Sequence, residues 1–139
     1  MIAADTKSLE LDGDVVRIRA EYDLTDRIAY LDARPPQGRT LHGHSFARWQ
    51  DVMLIVETSN FTENAIGVTN GLPSSTEKHL VERFALAADG QSLLYSFELT
   101  DPVYLAAPLR GELRWLYRPN LRVELVPCDP EATRSFLDN

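Results

Sequence analysis

Hydrophobic and polar residues alternate with a period of two along most of the chain, which is the pattern of half-buried β-strands. The clearest run covers residues 15–22, where four apolar or aromatic side chains alternate with charged ones. Residues 109–117 alternate in the same way, with leucine and aromatic side chains on one face. The pattern therefore predicts a protein built from strands.

Turn residues divide the chain into eight or nine predicted strands. These cover residues 9–11, 15–22, 27–31, 42–49, 52–59, 76–86, 92–99, 109–117 and 121–126. Residues 60–75 lack periodicity and contain glycine, proline and serine, so we predict one long loop there, placed to act as a lid. Asp129-Pro130-Glu131 has the features of a helix start and predicts a short C-terminal helix through Leu137.

Short connections between so many strands favour one antiparallel sheet that closes on itself, because closure removes exposed sheet edges. We therefore predict a single all-β domain over residues 1–139, an antiparallel up-and-down β-barrel of the lipocalin or calycin-like plan. Eight strands enclose enough space for one small ligand. A flattened sandwich is the alternative architecture.

Composition excludes several partner classes. The net charge is -7, from 14 Lys and Arg against 21 Asp and Glu, and the arginines are scattered, so no nucleic-acid partner is expected. Cys128 is the single cysteine, which rules out an internal disulfide. No apolar run of 18 residues occurs, so membrane insertion is not expected either. Met1 to Ser8 lacks the basic and apolar regions of a signal peptide, so the sequence itself does not predict export.

One candidate catalytic pair comes from the hairpin of residues 42–59. A two-residue turn at Gln50-Asp51 would place His44 opposite Glu57. An imidazole beside a carboxylate is the arrangement that orients a general base, and it is also a common cross-strand ion pair on a solvated face.

Glu82 is the sharper anomaly. Alternation over residues 80–86 and 93–99 puts this carboxylate on the same face as leucine and aromatic side chains, the predicted core face. A buried carboxylate has to be paired, hydrogen-bonded or protonated, because burying it alone costs several kcal/mol. One interpretation is a catalytic acid or a ligand-anchoring group inside a cavity, and the other is a structural pair with an arginine or a position at the barrel rim.

Aromatic residues on the core face predict an apolar ligand pocket with polar tips. The predicted ligand contacts are Tyr22, Phe84, Tyr95, Phe97 and Trp115, joined by His42 and Arg48. Ordinary core packing is the alternative for each aromatic ring. No phosphate-binding loop, nucleophile elbow or zinc motif is present, so we predict no cofactor and no metal site.

From His42 onward the chain resembles a family of uncharacterised bacterial proteins that are typically exported. The residues that carry the resemblance are Gly43-His44-Ser45, Arg48-Trp49, Val56-Glu57-Thr58, Asn60-Phe61, Asn70-Gly71, Pro73-Ser74, His79, Val81-Glu82-Arg83-Phe84 and Asp101-Pro102. The resemblance implies a periplasmic or secreted protein and assigns no chemistry. The likeness to lipocalins is one of general plan and raises the expectation of ligand binding.

Three functions follow from these patterns. The first is a protein that binds a small, apolar or amphipathic molecule in an internal barrel cavity. The second is an acid–base isomerase, hydratase or cyclase that uses the same cavity, with Glu82 or the His44–Glu57 pair transferring protons. The third is a structural or interaction module, for example a homodimer formed through an exposed sheet face.

Overall fold

A computed structural model describes residues 6–21, 25–69 and 71–125, and the predicted all-β class is confirmed there. Ten strands occur, and no helix lies within the described residues. They are β1 (Lys7–Asp12), β2 (Val15–Ala20), β3 (Thr25–Tyr30), β4 (His44–Gln50), β5 (Met53–Ser59), β6 (Asn64–Thr69), β7 (Leu72–Ser74), β8 (His79–Leu86), β9 (Ser92–Thr100) and β10 (Leu109–Leu116). The predicted C-terminal helix falls outside the described residues.

Eight strands form one strongly curled sheet in the order β1-β2-β3-β4-β5-β8-β9-β10, which has the shape of a half-barrel. The sheet is mixed, because β3 and β4 run parallel while the other neighbours are antiparallel. The predicted purely antiparallel meander is therefore interrupted at one junction. The 13 residues between β3 and β4 return the chain to the end of the sheet at which β3 starts. A connection of this length is typical between parallel strands.

The β3–β4 junction is also the shortest pairing in the sheet. Its ladder contains Ala29 opposite Ser45 and Tyr30 opposite Phe46, whereas β4 and β5 pair over seven positions. The two end strands, β1 and β10, do not pair with each other. The sheet thus has one internal junction with few backbone pairs, the parallel seam between β3 and β4, and an open gap between its edge strands β1 and β10.

Three local predictions are corrected by the structure. The turn between β4 and β5 is Asp51-Val52, one residue later than predicted, and Asp51 adopts a φ of 54°, which aspartate tolerates better than most residues. The predicted loop of residues 60–75 contains the separate β6–β7 hairpin, whose irregular register hides the period-two pattern. Residues 121–125, predicted as a strand, form none.

Alternation divides the large sheet into an inner face, which lines the curl, and an outer face. The core lies on the inner face, where seven buried side chains pack together. They are Val16, Ile18, Ala29, Ala47, Leu54, Val56 and Phe84. Within the described part of the chain, no helix is long and apolar enough to cross a membrane.

Candidate functional site

A cavity of about 320 Å³ opens on the inner face at one end of the half-barrel. Aromatic and aliphatic side chains provide most of its wall. The main contributors are Ile18, Phe61, Leu80, Tyr95, Leu113 and Trp115. A volume of this size lies at the lower end of the range for small-molecule sites.

Glu82 lies on the cavity wall, and its carboxylate is hydrogen-bonded through both oxygens. Its side chain is only 6% exposed, and the guanidinium of Arg27 donates to Oε2 while the phenol of Tyr95 donates to Oε1 across 2.9 Å. The predicted sharing of one face by these residues of β8 and β9 is confirmed, since Phe84 lies opposite Tyr95 and Glu82 opposite Phe97. Of the interpretations offered for Glu82, the structure supports both the pairing with an arginine and the position in a cavity.

Arg27 reaches Glu82 by lying across the inner face of two intervening strands. Its Nη1 donates to the hydroxyl of Thr58 on β5 at 3.1 Å and to that of Ser45 on β4 at 3.4 Å. Those two hydroxyls also bond to each other at 2.8 Å, and both residues are buried. Arg27 therefore ties β3 to β8 over the parallel seam, where the backbone ladder is shortest.

Gly43 makes room for this arrangement at the start of β4. Its φ is 70°, and a Cβ there would lie 2.5 Å from the carbonyl oxygen of Ser59 and 2.8 Å from Cγ2 of Thr58. Such contacts are shorter than folded proteins tolerate, and the positive φ disfavours other residues. Glycine thus lets β4 approach the end of β5 and places Ser45 beside Thr58.

Stacked aromatic rings form one side of the cavity. Trp115 stacks on Tyr95 with ring centroids 4.5 Å apart, and Phe84 packs edge-on to Trp115 at 5.8 Å. Burial raises the pKa of the Tyr95 phenol, and the adjacent negative charge and hydrogen bond of Glu82 raise it further. Tyr95 therefore stays protonated and donates its hydrogen bond to Glu82 over the neutral range.

The cavity reaches the gap between the two edge strands. Leu113 and Trp115 line it from β10, and Lys7 lines it from β1. The Lys7 ammonium lies over the Trp115 ring, 5.5 Å from its centroid. Side chains from β1 and β10 therefore meet across the gap where the backbones of these strands do not pair.

The predicted ligand contacts divide into several groups. Tyr95, Trp115 and His42 line the cavity. Phe84 is 2% exposed and does not line the cavity, but its ring packs against those of Tyr95 and Trp115. Phe97 does not line the cavity and instead packs where a Cβ on Gly111 would lie, whereas Tyr22 falls outside the described residues.

The histidine–carboxylate pair does not form as predicted. With the turn at Asp51-Val52, His44 lies opposite Ser59 on the outer face, and Phe46 lies opposite Glu57. His44 Nε2 is 3.1 Å from the carbonyl oxygen of Arg34, while Glu57 accepts from Arg48 at 3.3 Å. Arg48 is exposed on this same outer face, so none of the three reaches the cavity.

Sequence reasoning missed the residues that complete the network around Glu82. Arg27 alternates with Thr25 and Ala29 onto the inner face, so a second charge on the core side of a strand was visible in the pattern. Ser45 and Thr58 carried no such signal, because buried hydroxyls resemble surface ones in sequence. Their proximity to Arg27 depends on the parallel junction.

A second, more open cavity of about 380 Å³ lies next to Asp101 at the end of β9. Asp101 is 1% exposed and accepts hydrogen bonds from the Ser75 amide at 2.6 Å and the Ser75 hydroxyl at 2.7 Å. Burial opposes the charge of Asp101, but these bonds and those from the following backbone outweigh it and lower the pKa of its carboxyl. This carboxylate serves to hold the segment before β8 against the end of β9.

Comparison with protein-family models, with curated proteins and with solved structures finds no match for this chain. The resemblance of residues 42–102 to an exported bacterial family, and the lipocalin-like plan, stay predictions. Among the described residues, no group of three histidine, cysteine, aspartate or glutamate side chains could hold a metal ion.

Proposed function

We propose that this protein binds a small, largely apolar molecule in the cavity of its half-barrel, in the way that lipocalins hold a ligand inside a curled sheet. The observation that carries the proposal is the combination of a cavity of about 320 Å³ with an aromatic wall and one buried, fully bonded polar network. Ligand sites typically pair an apolar lining with a few fixed polar groups.

The polar network gives such a site a fixed shape. Arg27, Glu82 and Tyr95 hold one another by hydrogen bonds, so their positions on the wall are set before a ligand arrives. A preformed wall reduces the ordering cost of binding. The aromatic stack of Tyr95 and Trp115 supplies flat apolar surface next to that network.

The acid–base alternative is less well supported than binding. It depends on Glu82, because His44 and Glu57 lie on the outer face. Both oxygens of Glu82 already accept hydrogen bonds, from Arg27 and from Tyr95, so a proton exchanged with a ligand would have to use a remaining lone pair of this carboxylate. An interaction module would need a packed interior, which the cavity argues against.

Native mass spectrometry of protein purified from cells, compared with the denatured mass, tests the proposal. We expect a noncovalent adduct, either as purified or after incubation with a lipid and metabolite extract. Ala20 lines the cavity, so Ala20→Phe places a phenyl ring in the space for the ligand and should abolish the adduct. Ala65→Phe, at an exposed position of β6, should retain it. The proposal is wrong if neither preparation yields an adduct, or if Ala20→Phe retains it.

A further inference from the structure

We propose that β10 of one molecule pairs antiparallel with β10 of a second copy, about a two-fold axis at Gly111. This inference goes beyond ligand binding and does not depend on it. It starts from the edge of the large sheet, where one side of β10 has no neighbouring strand in the part of the chain that the structure describes.

The free edge of β10 presents a row of backbone hydrogen-bonding groups. The Tyr117 amide donates to the Gln91 carbonyl, which continues the β9–β10 register by one pair. Hydrogen-bonded pairs alternate along an antiparallel ladder, so the odd-numbered residues of β10 bond to β9. The N–H and C=O groups of Arg110, Glu112 and Arg114 therefore point away from β9, where another strand can pair with them.

The charges along this edge favour a second copy of β10 as the partner. Arg110, Glu112 and Arg114 alternate in sign on the outer face, and all three are exposed. With the axis at Gly111, Arg110 of each copy lies opposite Glu112 of the other, and opposite charges at such positions stabilise strand pairing. An axis at Glu112 would instead place like charges opposite each other.

The side chains on both faces are available for this pairing. Arg110 is 66% exposed and donates to Glu98 through Nε, which leaves its Nη groups for a second carboxylate. Glu112 is in no ion pair with any other described residue. On the inner face the same axis places Leu109 opposite Leu113 of the other copy. These leucines are 42% and 55% exposed, so pairing removes apolar surface from water.

The C-terminal end of β10 favours the axis at Gly111 over one at Leu113, which would also pair opposite charges. Lys7 from β1 lies over the Trp115 ring, so a side chain of β1 is already present at that end. Pairing about Gly111 uses residues 109–113 and leaves Trp115 outside the contact.

The other edge strand, β1, is a poorer partner. Its outer-face side chains are Ser8, Glu10 and Asp12, so pairing β1 with a copy of itself brings no opposite charges together. Glu10 is already in an ion pair with Arg19, which makes β1 less suited to β10 as well.

Sedimentation velocity at protein concentrations up to about 1 mM tests the dimer. Pairing over residues 109–113 makes a small contact, so we expect a weak, concentration-dependent dimer. Arg110→Glu and Glu112→Arg should each weaken it about tenfold or more, because both inter-copy pairs become like-charge pairs. An equimolar mixture of the two variants should dimerise nearly as well as the parent, since every contact between positions 110 and 112 then joins opposite charges.

Arg114→Glu provides a matched control on the same strand. This position lies opposite Pro108 of the other copy when the axis is at Gly111, so the variant should dimerise like the parent. A monomer at about 1 mM, open-ended oligomers of the kind that pairing between β1 and β10 would give, or a mixture that stays monomeric would overturn the proposal. Loss of the dimer in Arg114→Glu but not in Arg110→Glu would overturn the axis at Gly111.

Discussion

Substitutions of Arg27 and Glu82, which form a buried ion pair, should have strongly non-additive effects on the free energy of unfolding. The two side chains are 12% and 6% exposed, so replacing Glu82 by leucine leaves a guanidinium buried without its counter-charge. Removing one partner of a buried ion pair costs about 3–5 kcal/mol. Arg27→Met should cost a similar amount, because it leaves the carboxylate of Glu82 with only the Tyr95 phenol.

Removing both charges together should cost much less than the two single substitutions combined. In Arg27→Met/Glu82→Leu the hydroxyls of Ser45 and Thr58 still bond each other at 2.8 Å, and the Tyr95 phenol is the main group left without a partner. One unsatisfied buried group costs about 1–3 kcal/mol. The double variant should therefore lose at least about 3 kcal/mol less than the sum of the singles.

Urea denaturation followed by tryptophan fluorescence measures these free energies of unfolding, with Trp115 as a reporter beside Tyr95. The exposed pair of Arg17 and Asp26 provides a matched control, since its side chains are 47% and 35% exposed and solvent screening should make their coupling much weaker than that of the buried pair. Additive losses for Arg27 and Glu82, or single losses below about 1 kcal/mol, would refute the structural reasoning.

Three further predictions concern other parts of the sheet. Gly111→Ala should lower the free energy of unfolding by about 1–3 kcal/mol, because its Cβ would lie 2.4 Å from Cε1 of Phe97, and adding Phe97→Leu should restore part of the loss in urea denaturation. Asp101→Asn should cost about 1–3 kcal/mol at pH 7, since the amide brings N–H groups towards the Ser75 donors. The lowered pKa of Asp101 means that its stabilisation is present at neutral pH and is lost as pH falls through the folded-state pKa. Urea curves at about pH 3 should therefore show a smaller difference in stability between the parent and Asp101→Asn, and an unchanged difference would contradict this. Alkaline titration by ultraviolet absorbance should give the same tyrosinate amplitude up to about pH 11 for the parent and Tyr95→Phe, because the raised pKa keeps this phenol protonated, and an amplitude smaller by one tyrosine would contradict the assignment. The same raised pKa makes the folded state lose stability as pH rises above about 10, the ordinary value for tyrosine.

Strand positions and the core face were predictable because period-two alternation is a local property. The face shared by Leu80, Glu82 and Phe84 was read correctly, and with it the anomaly of a carboxylate on the core side. That reading needed only the side-chain direction along each strand, which the chain geometry fixes. Glu82 was therefore singled out by the sequence and lies on the cavity wall, as do three of the predicted ligand contacts, Tyr95, Trp115 and His42.

Strand pairing was less predictable because it depends on connections rather than on local pattern. The parallel direction of β4 is set by the path of residues 31–43, which the alternation within either strand does not record. The turn at Asp51-Val52 moved His44 from Glu57 to Ser59, because shifting a two-residue turn by one residue shifts the pairing by two. Residues 64–74 had the Asn-Gly turn signal of a hairpin, but the irregular ladder obscured the strands on either side.

Methyl NMR during titration with octanoate and octan-1-ol tests the central claim most directly, because it locates the bound molecule. We expect chemical-shift changes and intermolecular NOEs at the methyl groups of Ile18, Leu80 and Leu113, which line the cavity. Ile66, exposed on β6, should show neither effect. Effects confined to outer-face or β6 methyl groups, or none at millimolar probe, would contradict binding inside the half-barrel.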